Sequence, residues 1–433
     1  MASINIELCG VLILKNKPVF QYIKLIFVCL FSGILCGVIG TLFTKSIAFV
    51  TIIRNQNSWL IFLLPIGGLL SVAVCKGFKV SGIGTNNVIA STADGKFVSP
   101  MLTPTIFLCS TISHLFGASV GREGAALQLG GGVASSVGRL FHLDAEEIKL
   151  LTYASMAGLF SAVFGTPLAA FAFVLEVVYV GHICLKAVIP SFTGSITAYF
   201  TAVLLKNHAE RFSLDAAPAF HFSVLWRVCL ICAFSAALGM LFCKSIKLVS
   251  QTSKKFFKNE YLRIFIGGLL IAALTLIIGT TDYNGAGISI IEKIFEEGHF
   301  DAWAFVLKIL FTVIAVSAGY KGGEIVPTLF IGATFGALMG SLLGLTPAFG
   351  ASIGMTALFC SVTNCPTAAF LLSFELFSGV GWYYAFVASF VCFLLSGRIS
   401  LYSAQKVSGF KNTVAITTRR LLPAWITGSG VHY

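Results

Sequence analysis

Two carboxylates stand where a carboxylate is costly. Glu123 lies in Gly121-Arg122-Glu123-Gly124-Ala125-Ala126 and Glu324 in Gly322-Gly323-Glu324-Ile325-Val326-Pro327, each beside glycines and each leading into an apolar stretch. An ionisable group kept in such surroundings points to ion or proton handling. A glycine break followed by an apolar helical run leaves backbone N–H groups without partners, and that helix start carries partial positive charge. A carboxylate in the first turn is ordinary capping on one reading. On the other it is a tethered anion occupying the place a free anion would take. Ionised, Glu123 plugs the helix start; protonated or displaced, it leaves, so one side chain can link proton movement to anion movement. The two acids lie 201 residues apart, as do Gly121 and Gly322, which makes Glu123 and Glu324 candidate symmetry mates. A third glycine-broken segment, Gly82-Ile83-Gly84-Thr85-Asn86-Asn87, has the same form.

The elements that must position these groups are membrane helices. Of 433 residues 57% are hydrophobic and only 11% charged, against about 25% charged in a soluble domain, so no water-soluble fold hides this much apolar surface. Gly40-Thr-Leu-Phe-Thr-Lys-Ser-Ile47 returns as Gly239-Met-Leu-Phe-Cys-Lys-Ser-Ile246, an offset of 199. Ile66-Gly-Gly-Leu-Leu70 returns as Ile266-Gly-Gly-Leu-Leu270. Met156, Phe160, Pro167, Phe171 and Glu176 match Met355, Phe359, Pro366, Phe370 and Glu375, again at 199. Two such repeats, interrupted by Gly and Pro at matching places, are expected of transporters whose substrate sits between the halves. The expected fold is an all-α membrane protein of two inverted-topology repeats with broken, tilted transmembrane helices. Its parts are an N-terminal cytoplasmic segment 1–20, repeat 1 over 21–206, a polar linker 207–221, repeat 2 over 222–406, and a tail 407–433 read as a membrane-surface or disordered end.

Basic residues flank the spans rather than forming a nucleic-acid patch. Lys15, Lys17 and Lys24 precede the first span and Lys406, Lys411, Arg419 and Arg420 follow the last, which places both termini in the cytoplasm and requires an even number of crossings. No short apolar core with a small-residue cleavage site opens the chain, so the first span is read as retained. The sole CxxC, Cys229-Leu-Ile-Cys232, sits in a hydrophobic run without a second pair or a His cluster, and no metal or cofactor is expected. GxSxG occurs at Gly117–Gly121 and Gly350–Gly354 but lacks the strand-to-helix context that would make an enzyme of it. Glycine-rich helix packing explains both.

At these residues the sequence resembles the CLC family of chloride channels and halide/proton antiporters, from about Gln21 to Lys406. Gly121-Arg122-Glu123-Gly124 resembles the family's gate motif, which implies Glu123 as gating and proton-accepting glutamate and Gly121, Arg122 and Gly124 as anion contacts. Ala125 stands where chloride-type members have Pro. Gly322-Gly323-Glu324-Ile325-Val326-Pro327 resembles the double-glycine motif, implying that Gly323, Ile325 and Val326 face the anion. Ser400-Leu-Tyr402-Ser403 resembles the site of the ion-contacting Tyr; an interface anchor is the alternative for Tyr402. In the first motif two registers stand: one puts Ile83 and Gly84 at the anion, the other Ser81. Phe173-Val-Leu-Glu176 is followed by Val177 where many exchangers carry an internal proton-transfer glutamate. Glu324 occupies a position that is apolar in ordinary members, as in the fluoride/proton branch, although Val326 stands where that branch often has Thr. The resemblance implies proton-coupled halide antiport with fluoride ahead of chloride, a homodimer in the cell (inner) membrane with one pore per subunit, and no appended nucleotide-binding modules. A passive voltage- or pH-gated chloride channel is the alternative.

Overall fold

The computed structural model of the chain describes residues 19–207, 209–407 and 411. The segment 1–20 and the tail 407–433 therefore lie almost wholly outside the described residues. Among those described, sixteen α-helices form two series of eight in the same order. Repeat 1 holds α1 (Val19–Gln56), α2 (Leu64–Gly77), α3 (Thr85–Asp94), α4 (Leu102–Leu115), α5 (Glu123–Leu140), α6 (Ala145–Phe164), α7 (Pro167–Val178) and α8 (Leu185–Leu204). Repeat 2 holds α9 (Phe222–Phe256), α10 (Glu260–Ile278), α11 (Ile288–Glu297), α12 (Ala304–Ala318), α13 (Ile325–Leu342), α14 (Pro347–Thr363), α15 (Pro366–Leu376) and α16 (Trp382–Leu395). Two-residue strands, β1 (Tyr179–Val180) and β2 (Lys406–Val407), pair in parallel and tie the end of repeat 2 to repeat 1.

Helix lengths carry the broken, tilted geometry. The 38 residues of α1 and 35 of α9 would reach beyond 50 Å at about 1.5 Å per residue, well over a hydrocarbon core of roughly 30 Å, so they must tilt or protrude. The 10 residues of α3 and of α11 reach about 15 Å and cannot span. Among the described residues, seven helices are long and apolar enough to cross a membrane. Large apolar side chains such as Phe49, Leu248, Ile277 and Phe386 are exposed around the outside, as a lipid-facing surface requires.

The two halves meet head to head. Gly121 N–H donates to the Gly323 carbonyl and Gly323 N–H donates to the Gly121 carbonyl, both at 2.6 Å. This reciprocal pair makes residues 121 and 323 equivalent. From it α5 and α13 run to opposite sides. The far end of α5 receives Lys24 Nζ on the Phe141 carbonyl at 3.1 Å, near the start of α1, whereas beyond α13 Gly344 lies beside Arg227 near the start of α9. Opposed helices sharing a mid-chain origin are what inverted repeats produce.

The sequence expectation that Glu123 and Glu324 are symmetry mates is corrected by this pairing. Equivalence of Gly121 and Gly323 sets the offset at 202, so Arg122 matches Glu324, each the residue before its helix, and Glu123 matches Ile325. Offsets of 202 here and 199 later are reconciled because α6 has 20 residues and α14 only 17.

Two further features fix the frame. Glu176 at the end of α7 accepts the first-turn amides of α15, Thr367 N at 3.1 Å and Ala368 N at 3.0 Å. Glu375 at the end of α15 accepts those of α7, Leu168 N at 2.9 Å and Ala169 N at 2.8 Å. Each carboxylate caps the positive start of the other helix. Helices α13 and α14 touch backbone to backbone: a side chain at Gly354 would begin 2.1 Å from the Gly332 carbonyl oxygen. Only glycine permits that approach.

Candidate functional site

Three helix starts converge where α5 and α13 meet. The amides of Glu123, Gly124 and Ala125 open α5 and those of Ile325 and Val326 open α13, where Pro327 has no N–H to offer. The start of α3 joins them, for Thr85 Oγ1 donates to the Gly124 carbonyl at 3.3 Å and receives Gln128 Nε2 at 3.1 Å. Partial positive charge from three helices is thereby aimed at one region.

Glu123 is fully buried and its carboxylate folds back over its own helix start. Oε2 accepts Arg122 N–H at 3.0 Å and Oε1 accepts Arg122 Nε at 3.1 Å. The same Oε2 lies 2.9 Å from the point where a Gly121 side chain would begin, a point also 3.0 Å from Val326 Cβ and from Pro327 Cδ. The Glu123 carboxylate therefore lies beside Gly121, close to the start of α13. Glu324 reaches the other way: its Oε2 lies 3.2 Å from the corresponding point on Gly124, in the first turn of α5. Each acid leans toward the opposite repeat, and neither glycine has room for a side chain.

Tyr402 closes the site from the end of repeat 2. Leu401 N–H donates to the Val362 carbonyl at 2.9 Å, as does Ser400 Oγ at 3.1 Å, so the segment is pinned on the end of α14. The Tyr402 ring packs near Phe173, 6.3 Å between centroids, and is 2% exposed. Its hydroxyl is buried and has no partner among the described residues, yet it lies within electrostatic reach of both Glu324 and Glu123. A buried hydroxyl calls for a partner in protein, water or a bound ion, and Tyr402 shares this state with Tyr153 of α6 among others.

Other expected residues sit differently. The amides of Gly121 and Gly323 are taken up by each other, and that of Gly84 by Asn87 Oδ1 at 3.0 Å, so none of the three is free for an anion as the resemblance implied. Ser81 is exposed and lines a cavity of about 680 Å³ with Lys76, Lys79, Lys258, Asn259, Glu260 and Tyr261. Ile83 packs on Cys75, Val80 and Cys109, while its carbonyl accepts Lys321 Nζ at 3.2 Å. The hydroxyl that reaches the helix starts belongs to Thr85, which neither register had considered. Lys321 was also missed, although a lysine amid apolar residues is itself a signal. Val177 is buried core, and Glu176 is engaged in capping.

Residues 67–400 match the family model described as voltage gated chloride channel. The chain belongs to the CLC family. A "Chloride/fluoride channel protein" of Pseudomonas syringae pv. tomato is 32% identical, with 88% of this chain and 86% of that protein covered. An "H(+)/Cl(-) exchange transporter ClcA" of Vibrio cholerae is 27% identical over 84% of this chain and 83% of its own. Among solved structures, a CLC-type fluoride/proton antiporter superposes with TM-score 0.87 at 26% identity, covering 91% of this chain and all of that one. A slow cyanobacterial Cl-/H+ antiporter, 19% identical with TM-score 0.76, shares the fold over 92% of this chain and 98% of its own. This CLC protein is an all-α integral membrane protein, with the short β1–β2 pair as the only sheet among the described residues.

Proposed function

We propose that this CLC protein exchanges halide anions for protons across a bilayer, with Glu123 as gate and proton acceptor and with fluoride ahead of chloride. The observation that carries the reading is the convergence of three helix starts on a buried carboxylate, beside a second carboxylate and an orphan Tyr402 hydroxyl. Ionised, Glu123 accepts the Arg122 N–H and covers the first-turn amides of α5 in place of a halide. A halide entering beside two ionised carboxylates would be repelled by both, so the anion takes the helix start only once a proton has neutralised Glu123, and proton and halide reach the site from opposite sides. The protonated Glu123 then gives up the amides and the anion takes them. Fluoride holds its water tightly and needs strong donors. The backbone amides that open α13 and the Tyr402 hydroxyl are such donors.

The protein sits in the inner membrane with both termini cytoplasmic, so the stretch between α8 and α9 faces outward and the Lys76/Lys79/Lys258 cavity faces inward. It works as a homodimer with one pore per subunit. Support for fluoride is Glu324, the unusual acid at α13, together with the names of the two relatives that mention fluoride. The alternative of a passive channel rests on one of those names and on Val177, which leaves the inner proton path without its usual acid.

The test is flux from liposomes loaded separately with fluoride and with chloride, with proton movement recorded. Fluoride efflux faster than chloride, and loss of proton coupling in Glu324→Ala, are expected. Unchanged exchange in Glu324→Ala would argue for the chloride reading.

A further inference from the structure

Arg122 is held by two acids, and only one of them belongs to the gate. Its Nε donates to Glu123 Oε1 at 3.1 Å, while Nη2 pairs with Glu210 in the stretch between the repeats. The Arg122 side chain is 9% exposed and that of Glu210 19%. A guanidinium presents its donors in a rigid fork, so fixing one edge fixes the other.

The stretch carrying Glu210 is itself pinned. Asn207 Nδ2 donates to the Ala162 carbonyl at 2.7 Å, Glu210 N–H to the Phe164 carbonyl at 3.3 Å, and Phe212 N–H to the Leu376 carbonyl at 3.1 Å. The Phe212 ring stacks on Phe295 with centroids 5.3 Å apart. Ala209 presses on Gly165, at φ +74°, so closely that a side chain there would begin 2.3 Å from Ala209 Cβ. Glu210 is thus presented from a fixed support that leans on both repeats.

We infer that Glu210 is a positioning residue for the gate: by holding Arg122 it keeps that cation beside the helix start, off the anion path, and sets how strongly Arg122 retains the Glu123 carboxylate. The inference rests on reading Glu123 as the proton-accepting gate. The charged and titratable groups around the pair are Glu324, just before α13, and Tyr402, within electrostatic reach of Glu324 and Glu123, and His114 of α4, within electrostatic reach of Arg122, Arg54 and Lys308. Among them Glu210 is the acid that neutralises Arg122 from outside the gate. Two consequences follow. When Glu123 swings away, Arg122 stays paired and does not fall into the vacated site as a competing counter-ion. While Glu123 is in place, part of the Arg122 field is cancelled, so the carboxylate accepts a proton more readily than beside an unpaired arginine.

The experiment measures proton-coupled halide flux from liposomes against external pH for the full chain, for E210Q, E210D, and D215N, the last removing an exposed acid of the same stretch. E210Q is expected to move the midpoint of the profile to lower pH by about one unit, because Arg122 then holds the ionised gate more firmly. E210D, which keeps the charge, and D215N are expected to stay with the full chain. An E210Q midpoint equal to that of the full chain overturns the inference, as does an E210D shift as large as that expected of E210Q. The E210D arm keeps the question decidable even where E210Q is lost to misfolding. Flux of the unaltered chain that ignores pH would instead take down the gate reading, and this inference with it; the unaltered trace tells the two failures apart.

Discussion

Replacing Tyr402 by Phe removes one oxygen and little else, and the surroundings of that oxygen make the outcome calculable. The Tyr402 hydroxyl is buried without a partner among the described residues, while the ring is held by its contact with Phe173 and by the pinned backbone of 399–405. An unsatisfied buried hydroxyl costs about 1–3 kcal/mol, so Tyr402→Phe should leave the fold as stable as before or raise its stability. If the hydroxyl serves the anion, it makes a hydrogen bond to a charged species, worth about 1.5–3 kcal/mol. Since about 1.4 kcal/mol is a factor of ten, halide affinity should fall roughly 10- to 150-fold. Isothermal titration with fluoride and chloride on detergent-purified protein, paired with thermal unfolding, reads both quantities. Tyr153 supplies the control, because its hydroxyl is likewise buried and unpartnered but sits on α6, near Cys184 and Tyr179. Tyr153→Phe should change stability in the same direction and leave affinity alone. Halide affinity unchanged in Tyr402→Phe, with a lowered unfolding temperature, would show that the hydroxyl is structural.

Two further outcomes probe the frame. A methyl at position 354 would begin 2.1 Å from the Gly332 carbonyl oxygen and 2.7 Å from Gly336 Cα; overpacking of this kind costs about 1–3 kcal/mol or more, so Gly354→Ala should lower the unfolding temperature in detergent by several degrees, and no change would mean that α13 and α14 are not in backbone contact. Glu375→Gln should cost about 1 kcal/mol by weakening the charged cap on α7, and combining it with Glu176→Gln should cost about twice as much if the reciprocal caps act independently; a neutral Glu375→Gln would remove capping as the reason for that carboxylate.

Much of this was legible in sequence because its causes are local. Glycine breaks before apolar runs announce helix starts wherever they occur, and a glutamate in an apolar segment is conspicuous by its cost. The repeat was visible because equivalent helices bury equivalent faces, so Met156 and Met355, or Glu176 and Glu375, are kept alike by like surroundings. What could not be read depends on contacts between distant segments. Matching the two repeats by identical letters paired Glu123 with Glu324, whereas the hydrogen bonds between Gly121 and Gly323 show the register to be one residue away. The first motif offered Ser81 or Ile83, but the hydroxyl against α5 belongs to Thr85, four residues past the one and two past the other; only the approach of α3 to Gly124 decides that. Glu210 looked like any polar residue of a connecting stretch until the fold laid that stretch against Arg122. That Tyr402 comes within electrostatic reach of both acids likewise follows from the anchoring of its segment on α14.

Uphill proton movement is the most direct measurement of the central claim. Vesicles holding the full chain, given an outward halide gradient and no proton gradient, should take up protons against the gradient they create, and Glu123→Gln should abolish that uptake because an amide cannot carry a proton through the gate. Proton pumping that persists in Glu123→Gln would contradict the account.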